Sequence, residues 1–454
     1  MDSLNTAPEQ ESRVAATAKT PGVLWVHPRE TFVPFSNQAL TLGRGEEASA
    51  VLESTQVSRV HARVHKVGPV YVLSDAGSRN GTYKNGQRIE EAALDPGDVI
   101  RLGDWLGVVL DLEPELAASP SFFAEPEPGV IVGPRSSAEW RRLEQVAKGR
   151  APILLEGPTG TGKEVLARAV HRHSGRSGAF VGVNCAALPE SLAEAQLFGH
   201  ARGAFTGAVQ ASEGLIAAAD QGTLLLDEIA DLPLSQQAKL LRVIEQREVL
   251  RLGETAPRSA DVRFVAACQQ PLWELVRSND FRADLLGRLS GCTIRLLPLK
   301  QRREEIPRLF SAAFERAGGS PRRLKAGAFE ALCLATWPLN VRQLVLFACS
   351  TASSLPGDSD IGRSAIAELL EKSGAEFGEA LESGDATSTT EPALGRRRAL
   401  WLARNEAQLA ELQRALEATR GNMSEAARQV GLSRSAAMRL IEADASRKSG
   451  QQRP

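Results

Sequence analysis

The stretch Pro152-Ile153-Leu154-Leu155-Glu156 runs directly into Gly157-Pro158-Thr159-Gly160-Thr161-Gly162-Lys163, and a helical pattern then continues to about His173. A buried strand that turns through a glycine-rich loop into a helix admits few architectures. Backbone N–H groups at the helix N-terminus hold phosphate oxygens, and a lysine adds a point charge on them. Glu164 follows, where most such loops carry Ser or Thr for magnesium. Downstream, Thr223-Leu224-Leu225-Leu226 leads into Asp227-Glu228. An acid pair at the end of an apolar strand suits magnesium coordination by Asp227 and polarisation of the attacking water by Glu228. Strands alternate with helices from Gly129, as in a parallel α/β sheet. Beyond about Leu299 the pattern is mostly helical.

The 454 residues exceed one domain. Residues 1–20 are polar and Ala-rich, a disordered N-terminus. Residues 21–112 carry short strands between Gly, Asn and Asp turns. Val60, Ala62 and Val64 share one face and His61, Arg63 and His65 the other, as in a β-sandwich. Residues 113–128 are rich in Pro, Ala and Glu and read as a linker; residues 373–395 read as a second one. The α/β segment with its helical lid then covers 129–372. The five cysteines form no CxxC pair, which argues against a disulfide framework or a zinc site. No secretory h-region and no membrane-length apolar run is present, so a cytoplasmic location without membrane contact is expected. The fold class expected is multidomain: an all-β sandwich, an α/β P-loop domain with a helical lid, and an all-α end.

Within the β-rich segment, Gly43-Arg44, Ser58-Arg59-Val60-His61, Ser78-Arg79-Asn80-Gly81-Thr82 and Asn85-Gly86 lie on loops. Arg44, Arg79 and the Ser58 hydroxyl can hold a phosphate, and Asn80 can pair with a peptide backbone. The Asn-Gly pairs also read as hairpin turns. About 90 residues here resemble a forkhead-associated (FHA) domain. That resemblance implies a threonine-phosphorylated protein as partner, with phosphate on Arg44, Ser58 and Arg79 and peptide on Asn80. His61 would brace the loop from inside.

Between the P-loop and the acid pair sits Gly203-Ala204-Phe205-Thr206-Gly207-Ala208. Taken alone, it reads as a tight turn that buries Phe205. Its neighbours change that reading. Together with Val183-Asn184-Cys185, Leu197-Phe198-Gly199-His200, Gln237-Ala238-Lys239, Phe281-Arg282-Ala283-Asp284 and Trp337-Pro338-Leu339-Asn340-Val341-Arg342, the stretch from about Val130 to Leu370 resembles the AAA+ domain of bacterial sigma-54-dependent activators, or enhancer-binding proteins. In that family Glu164 is the usual residue. The resemblance implies ATP and Mg2+ as cofactors and a hexamer built from dimers. Asn184 would hold Glu228 away from water. Arg282 and Arg288 would reach the next subunit's nucleotide, and Arg342 would sense phosphate state from the lid. Residues Gly203 to Ala208 would contact sigma-54 RNA polymerase holoenzyme. Three departures stand out: Cys268-Gln269 in place of Thr-Asn, with Gln269 as the nucleotide sensor; Leu339 where glycine is usual; and Gln196 where an acid is common.

The whole chain has a formal charge of −1, yet residues 396–454 carry twelve basic against six acidic residues. This is a local basic module. Gly431-Leu432 makes a turn, and Ser433 can cap a helix bearing Arg434, Ser435, Met438 and Arg439. The segment resembles a Fis-type helix-turn-helix, which implies enhancer DNA as partner through those five residues. The expected function is ATP-driven activation at sigma-54 promoters under phosphopeptide control. The alternative is a DNA-bound phosphopeptide scaffold or repressor with an impaired ATPase.

Overall fold

The computed structural model describes residues 19–205, 208–355 and 357–373. The β-rich segment forms two sheets. One runs Thr31–Pro34, Thr20–His27, Trp105–Leu112, Val99–Leu102, Thr82–Lys84, Gln87–Ile89 across its width. The other runs Ala50–Val51, Leu40–Gly43, Ala62–Val67, Val70–Asp75, Glu91–Leu94. In the strand Thr20–His27, Val23, Leu24 and Trp25 are all fully buried, so both of its faces are covered. Trp25 meets Trp105 edge-on at 5.8 Å, while Leu24 packs with Phe122 and Phe123.

Those two phenylalanines lie in the stretch read as a linker. Residues 113–128 instead hold a helical turn, Pro114–Ala117, and a strand, Ala124–Glu127, paired with Val130–Val132. Proline and alanine content misled the reading. Two adjacent aromatic side chains outweigh it, because burying them stabilises the segment against the sheet by several kcal/mol, roughly 2 per ring.

The α/β segment has its own sheet of five parallel strands in the order Phe180–Asn184, Thr223–Asp227, Arg263–Cys268, Ile153–Glu156, Cys292–Arg295. Its residues alternate between two cores. Leu154, Leu224, Leu226, Phe264 and Ala266 join one; Ile153, Leu155, Leu225, Val265 and Ala267 join the other. A sheet covered on both faces requires the unbroken apolar runs seen in the sequence. Helices Ile306–Arg316, Ala326–Leu334, Asn340–Ser354 and Arg363–Lys372 form the lid around Phe310, Phe314, Trp337 and Phe347. The sheet's strand order reverses beside Ile153–Glu156, so the carboxyl ends of its neighbours open a crevice there.

Candidate functional site

The loop after Ile153–Glu156 is tied at its first residue: Gly157 N–H donates to the Cys268 carbonyl at 3.1 Å. Gly160 and Gly162 take φ of +74° and +110°, which glycine adopts without penalty. Gly160 has a second constraint, since a Cβ there would lie 2.0 Å from the Leu339 carbonyl oxygen. Gly162 caps the helix Lys163–Ser174. The Lys163 ammonium is buried and donates to the Gly157 carbonyl at 2.7 Å, and Thr161 Oγ1 donates to the Pro158 carbonyl at 2.8 Å. Glu164 points away and pairs with Arg168 at 2.7 Å, an exposed i,i+4 contact on the first helical turn. It is not brought together with the other loop residues.

Parallel pairing sets Asn184 beside Asp227 at the strand ends. Glu228 follows in the left-handed region, φ +51° and ψ +50°, a conformation costing a non-glycine residue about 1 kcal/mol. Its carboxylate accepts from Gln269 Nε2 at 2.9 Å. Asn184, expected to hold Glu228, has its Oδ1 on the Ala186 N–H at 3.0 Å and makes no bond to Glu228. The partner of Glu228 here is Gln269, because an amide one methylene longer than asparagine spans the gap from the next strand. Beneath the acids, burial followed by Asp227, Asp231 and Glu228 pushes the Cys185 thiol up to about 12. Burial likewise pushes Cys268 to about 12, so both remain neutral thiols. Asp227 Oδ1 meets only the Glu228 N–H, at 3.2 Å. A carboxylate at this strand end is a hard-oxygen donor of the kind that holds Mg2+.

The lid closes one side. Asn340 is buried, and its Nδ2 donates to the Thr159 carbonyl at 2.9 Å while its Oδ1 accepts from Leu299 N–H at 2.8 Å. Arg342 N–H donates to the Gly160 carbonyl at 3.3 Å, and its side chain is exposed. Leu339, in place of the usual glycine, has an ordinary φ of −98°, whereas Asn340 takes φ +49°. The left-handed turn thus falls one residue later than the substitution suggested, on an asparagine that tolerates it. Just before the helix Ile306–Arg316, buried Arg302 donates to the Thr161 carbonyl at 2.9 Å. Sequence reasoning gave Asn340 and Arg302 no role. For Asn340 the usable signal was a lone amide between Leu339 and Val341 at the start of a helical pattern; Arg302 carried none.

Arg282 and Arg288 are both exposed. Arg282 holds Asp284 with two bonds, at 3.0 and 2.7 Å, and Arg288 holds Glu245 at 2.8 Å. Gln237, fully buried, accepts from the Arg282 N–H at 2.9 Å and donates to the Leu232 carbonyl at 2.7 Å, which pins the segment.

At the Gly203 loop, Gly203 N–H donates to the Ala208 carbonyl at 2.8 Å, and Ala208 N–H to the Phe205 carbonyl at 3.0 Å. Ala208 is buried, but Phe205 is 37% exposed, against the expectation from those residues alone. Its ring packs edge-on against His200 at 5.0 Å rather than in the core. Ala201 and Leu252 backbones bond at 2.8 Å, and Leu252 returns to Gly199 at 3.0 Å, which ties the loop's base to the hairpin around Glu248–Val249 and Arg258–Ser259. Thr206 and Gly207 lie outside the described residues, as do Ser433, Arg434, Ser435, Met438 and Arg439.

In the β-sandwich, Arg44, Arg79 and Asn80 are exposed and Ser58 half-buried on adjacent loops. Arg44 N–H donates to the Ser58 carbonyl at 3.0 Å, and Ser58 Oγ accepts from Arg79 N–H at 3.1 Å. Asn80 Nδ2 donates to the Gln56 carbonyl at 2.7 Å. His61 is fully buried and accepts at Nδ1 from the Ser58 N–H, which leaves Nε2 to donate to the Gly81 carbonyl at 3.2 Å. Burial keeps it neutral by lowering its pKa. Asp75, which sequence reasoning missed, accepts from Ser78, Thr82 and Gly77. Burial alone would raise its pKa, but these hydrogen bonds carry it below the usual value.

Family models match three segments: an FHA domain at residues 40–103, a sigma-54 interaction domain at 132–295, and the bacterial regulatory protein Fis family at 404–436. The chain is 44% identical over 300 residues to the nitric oxide reductase transcription regulator NorR1 of Cupriavidus necator, covering 64% of this chain and 58% of that one. It is 47% identical to the sigma54-dependent transcriptional activator SfnR of Pseudomonas putida, covering 47% and 60%. To the "Pathogenicity locus probable regulatory protein WtsA" of Pantoea stewartii subsp. stewartii it is 45% identical, covering 47% and 68%. The chain therefore spans little more than half of NorR1. With a phosphate-binding loop, an acid pair and a complete Gly-Ala-Phe-Thr-Gly-Ala loop in one α/β domain between an FHA segment and a Fis-type segment, the chain belongs to the sigma-54-dependent transcriptional activators of the AAA+ class.

Proposed function

We propose that this chain is an ATP-hydrolysing activator that, held on enhancer DNA, remodels sigma-54 RNA polymerase under the control of a threonine-phosphorylated partner. The observation that carries the reading is the shared crevice: Gly157, Asp227, Glu228 and Gln269 end neighbouring strands of one sheet. Gly157 to Lys163 would hold the phosphates, with the Lys163 ammonium exchanging its loop carbonyls for phosphate oxygens. Mg2+ bound at Asp227 would supply charge neutralisation on those oxygens. Glu228, aligned by Gln269, would polarise the attacking water. Arg282 and Arg288, exposed and paired with the exposed acids Asp284 and Glu245, can turn to a neighbouring subunit in a hexamer. Phe205 and Thr206 would press on sigma-54. Arg44, Ser58, Arg79 and Asn80 would read phosphothreonine, and Arg434 with its neighbours would contact DNA.

Purified protein is expected to hydrolyse ATP and open a sigma-54-bound promoter. Lys163→Ala and Glu228→Gln should each lower hydrolysis by at least a hundredfold. Equal turnover in wild type and Glu228→Gln would instead support the scaffold reading.

A further inference from the structure

Glu330, on the lid helix Ala326–Leu334, is completely buried. Its Oε2 accepts from Arg101 Nε at 3.0 Å and from Arg363 Nη1 at 2.6 Å. Arg101 belongs to the FHA strand Val99–Leu102 and Arg363 to the lid helix Arg363–Lys372, so one carboxylate oxygen joins two domains. Arg101 is clamped from its other side by the Tyr83 ring, 3.8 Å from its guanidinium. Breaking such a buried pair is costly, since it leaves an uncompensated charge behind.

The surroundings repeat the link. Val99 and Leu106 of the FHA sheet lie in the same buried cluster as Phe310 and Phe329 of the lid. His27 packs against Phe329, the two rings tilted with centroids 4.9 Å apart. Arg303 donates to the Gly97 carbonyl at 3.1 Å, and Arg308 pairs with Glu30 at 2.7 Å. Gly86 takes φ +78°, and a Cβ there would meet Arg363 and Leu334 within about 3.0 Å. The connecting segment is fastened too, with Phe122 and Phe123 buried and Arg308 over the Phe123 ring at 5.1 Å. Arg44, Arg79 and Asn80 remain exposed, clear of this interface.

We propose that the docking partner of this FHA sheet face is the lid of its own chain, and that FHA domain and lid move as one body, hinged against the P-loop sheet near Arg302. A phosphopeptide held at Arg44 would then load the lid directly rather than through a flexible tether. The nucleotide part rests on the ATPase reading above; the docking itself does not.

The test is hydrogen exchange on the full chain. Without nucleotide, Arg101→Glu sets two carboxylates together and is expected to speed exchange of 326–334 and 99–112 at least tenfold. Exchange of Leu40–Gly43 should stay unchanged, which reports an intact FHA fold. The exchanged pair Arg101→Glu with Glu330→Arg should recover part of the protection. Glu30→Arg, on the exposed rim, gives a milder version should Arg101→Glu fail to fold. Unchanged exchange of 326–334 in a folded Arg101→Glu or Glu30→Arg protein would overturn the docking. A non-hydrolysable ATP analogue should protect 157–163 and leave 326–334 as it was. Loss of protection at 326–334 on adding the analogue would overturn the single-body claim. Absence of protection at 157–163 would count against the ATPase reading alone.

Discussion

Gln269 Nε2 donates to the Glu228 carboxylate at 2.9 Å, and the peptide carbonyl just before it, that of Cys268, accepts from Gly157 N–H at 3.1 Å. The dipeptide Cys268-Gln269 therefore touches both the first residue of the glycine-rich loop and the Glu228 carboxylate. A shift of the loop on phosphate binding would pull on Gln269. Gln269→Ala is expected to lower kcat about tenfold with ATP KM within about twofold, because a base without its orienting partner loses alignment while the phosphate contacts persist. Gln269→Glu sets carboxylate against carboxylate and should move the acid limb of the kcat–pH profile upward. Steady-state kinetics against pH checks both.

Asn340 bridges Thr159 and Leu299 from a left-handed turn. Asn340→Ala loses two hydrogen bonds and adds strain, and should cost about 2–4 kcal/mol in lid docking. Asn340→Gly keeps the turn without strain, so it should cost less by about 1 kcal/mol. Nucleotide titration and thermal unfolding separate the two. Leu339→Gly should be nearly neutral, since Leu339 has an ordinary φ.

Phe205 rests on His200 and reaches solvent. Phe205→Ala should leave ATP turnover within about twofold and abolish promoter opening, because its ring contacts no group of the nucleotide crevice. Full opening by Phe205→Ala would remove this loop from the mechanism. Paired ATPase and permanganate-footprinting assays provide the measurement.

Arg44→Ala is expected to weaken phosphothreonine-peptide binding at least tenfold, about 1.4 kcal/mol or more for a charge-assisted bond. The unphosphorylated peptide should bind equally poorly to both proteins. Calorimetry with the two peptides decides it.

Glu304 is completely buried with neither carboxylate oxygen hydrogen-bonded. Burial raises its pKa from 4.5 to about 7, against the nearby Arg135 charge. The folded state therefore holds a proton that the unfolded chain releases above 4.5. The associated stability is fully present below pH 4.5 and is lost as pH rises toward 7, about 3 kcal/mol in all. Glu304→Gln, neutral at every pH, should be the more stable protein at pH 8, with the gap closing toward pH 4.5. Denaturant midpoints at the two pH values measure it.

Local chemistry was legible wherever a few adjacent residues suffice. Two-sided burial forces apolar runs such as Thr223 to Leu226, and phosphate binding forces glycines at Gly160 and Gly162, so both are written in the order of residues. Composition misread residues 113–128, because it counts prolines and cannot see the sheet face that buries Phe122 and Phe123. Residue order alone marked out the three segments that the family models match, along with the glycine-rich loop and the acid pair. Three contacts emerge only from the folded chain: Gln269 rather than Asn184 bonds Glu228, Asn340 spans lid and loop, and Glu330 joins Arg101 to Arg363. Each of these pairs is separated by tens to hundreds of residues, and a hydrogen bond depends on ångström distances that sequence separation does not encode.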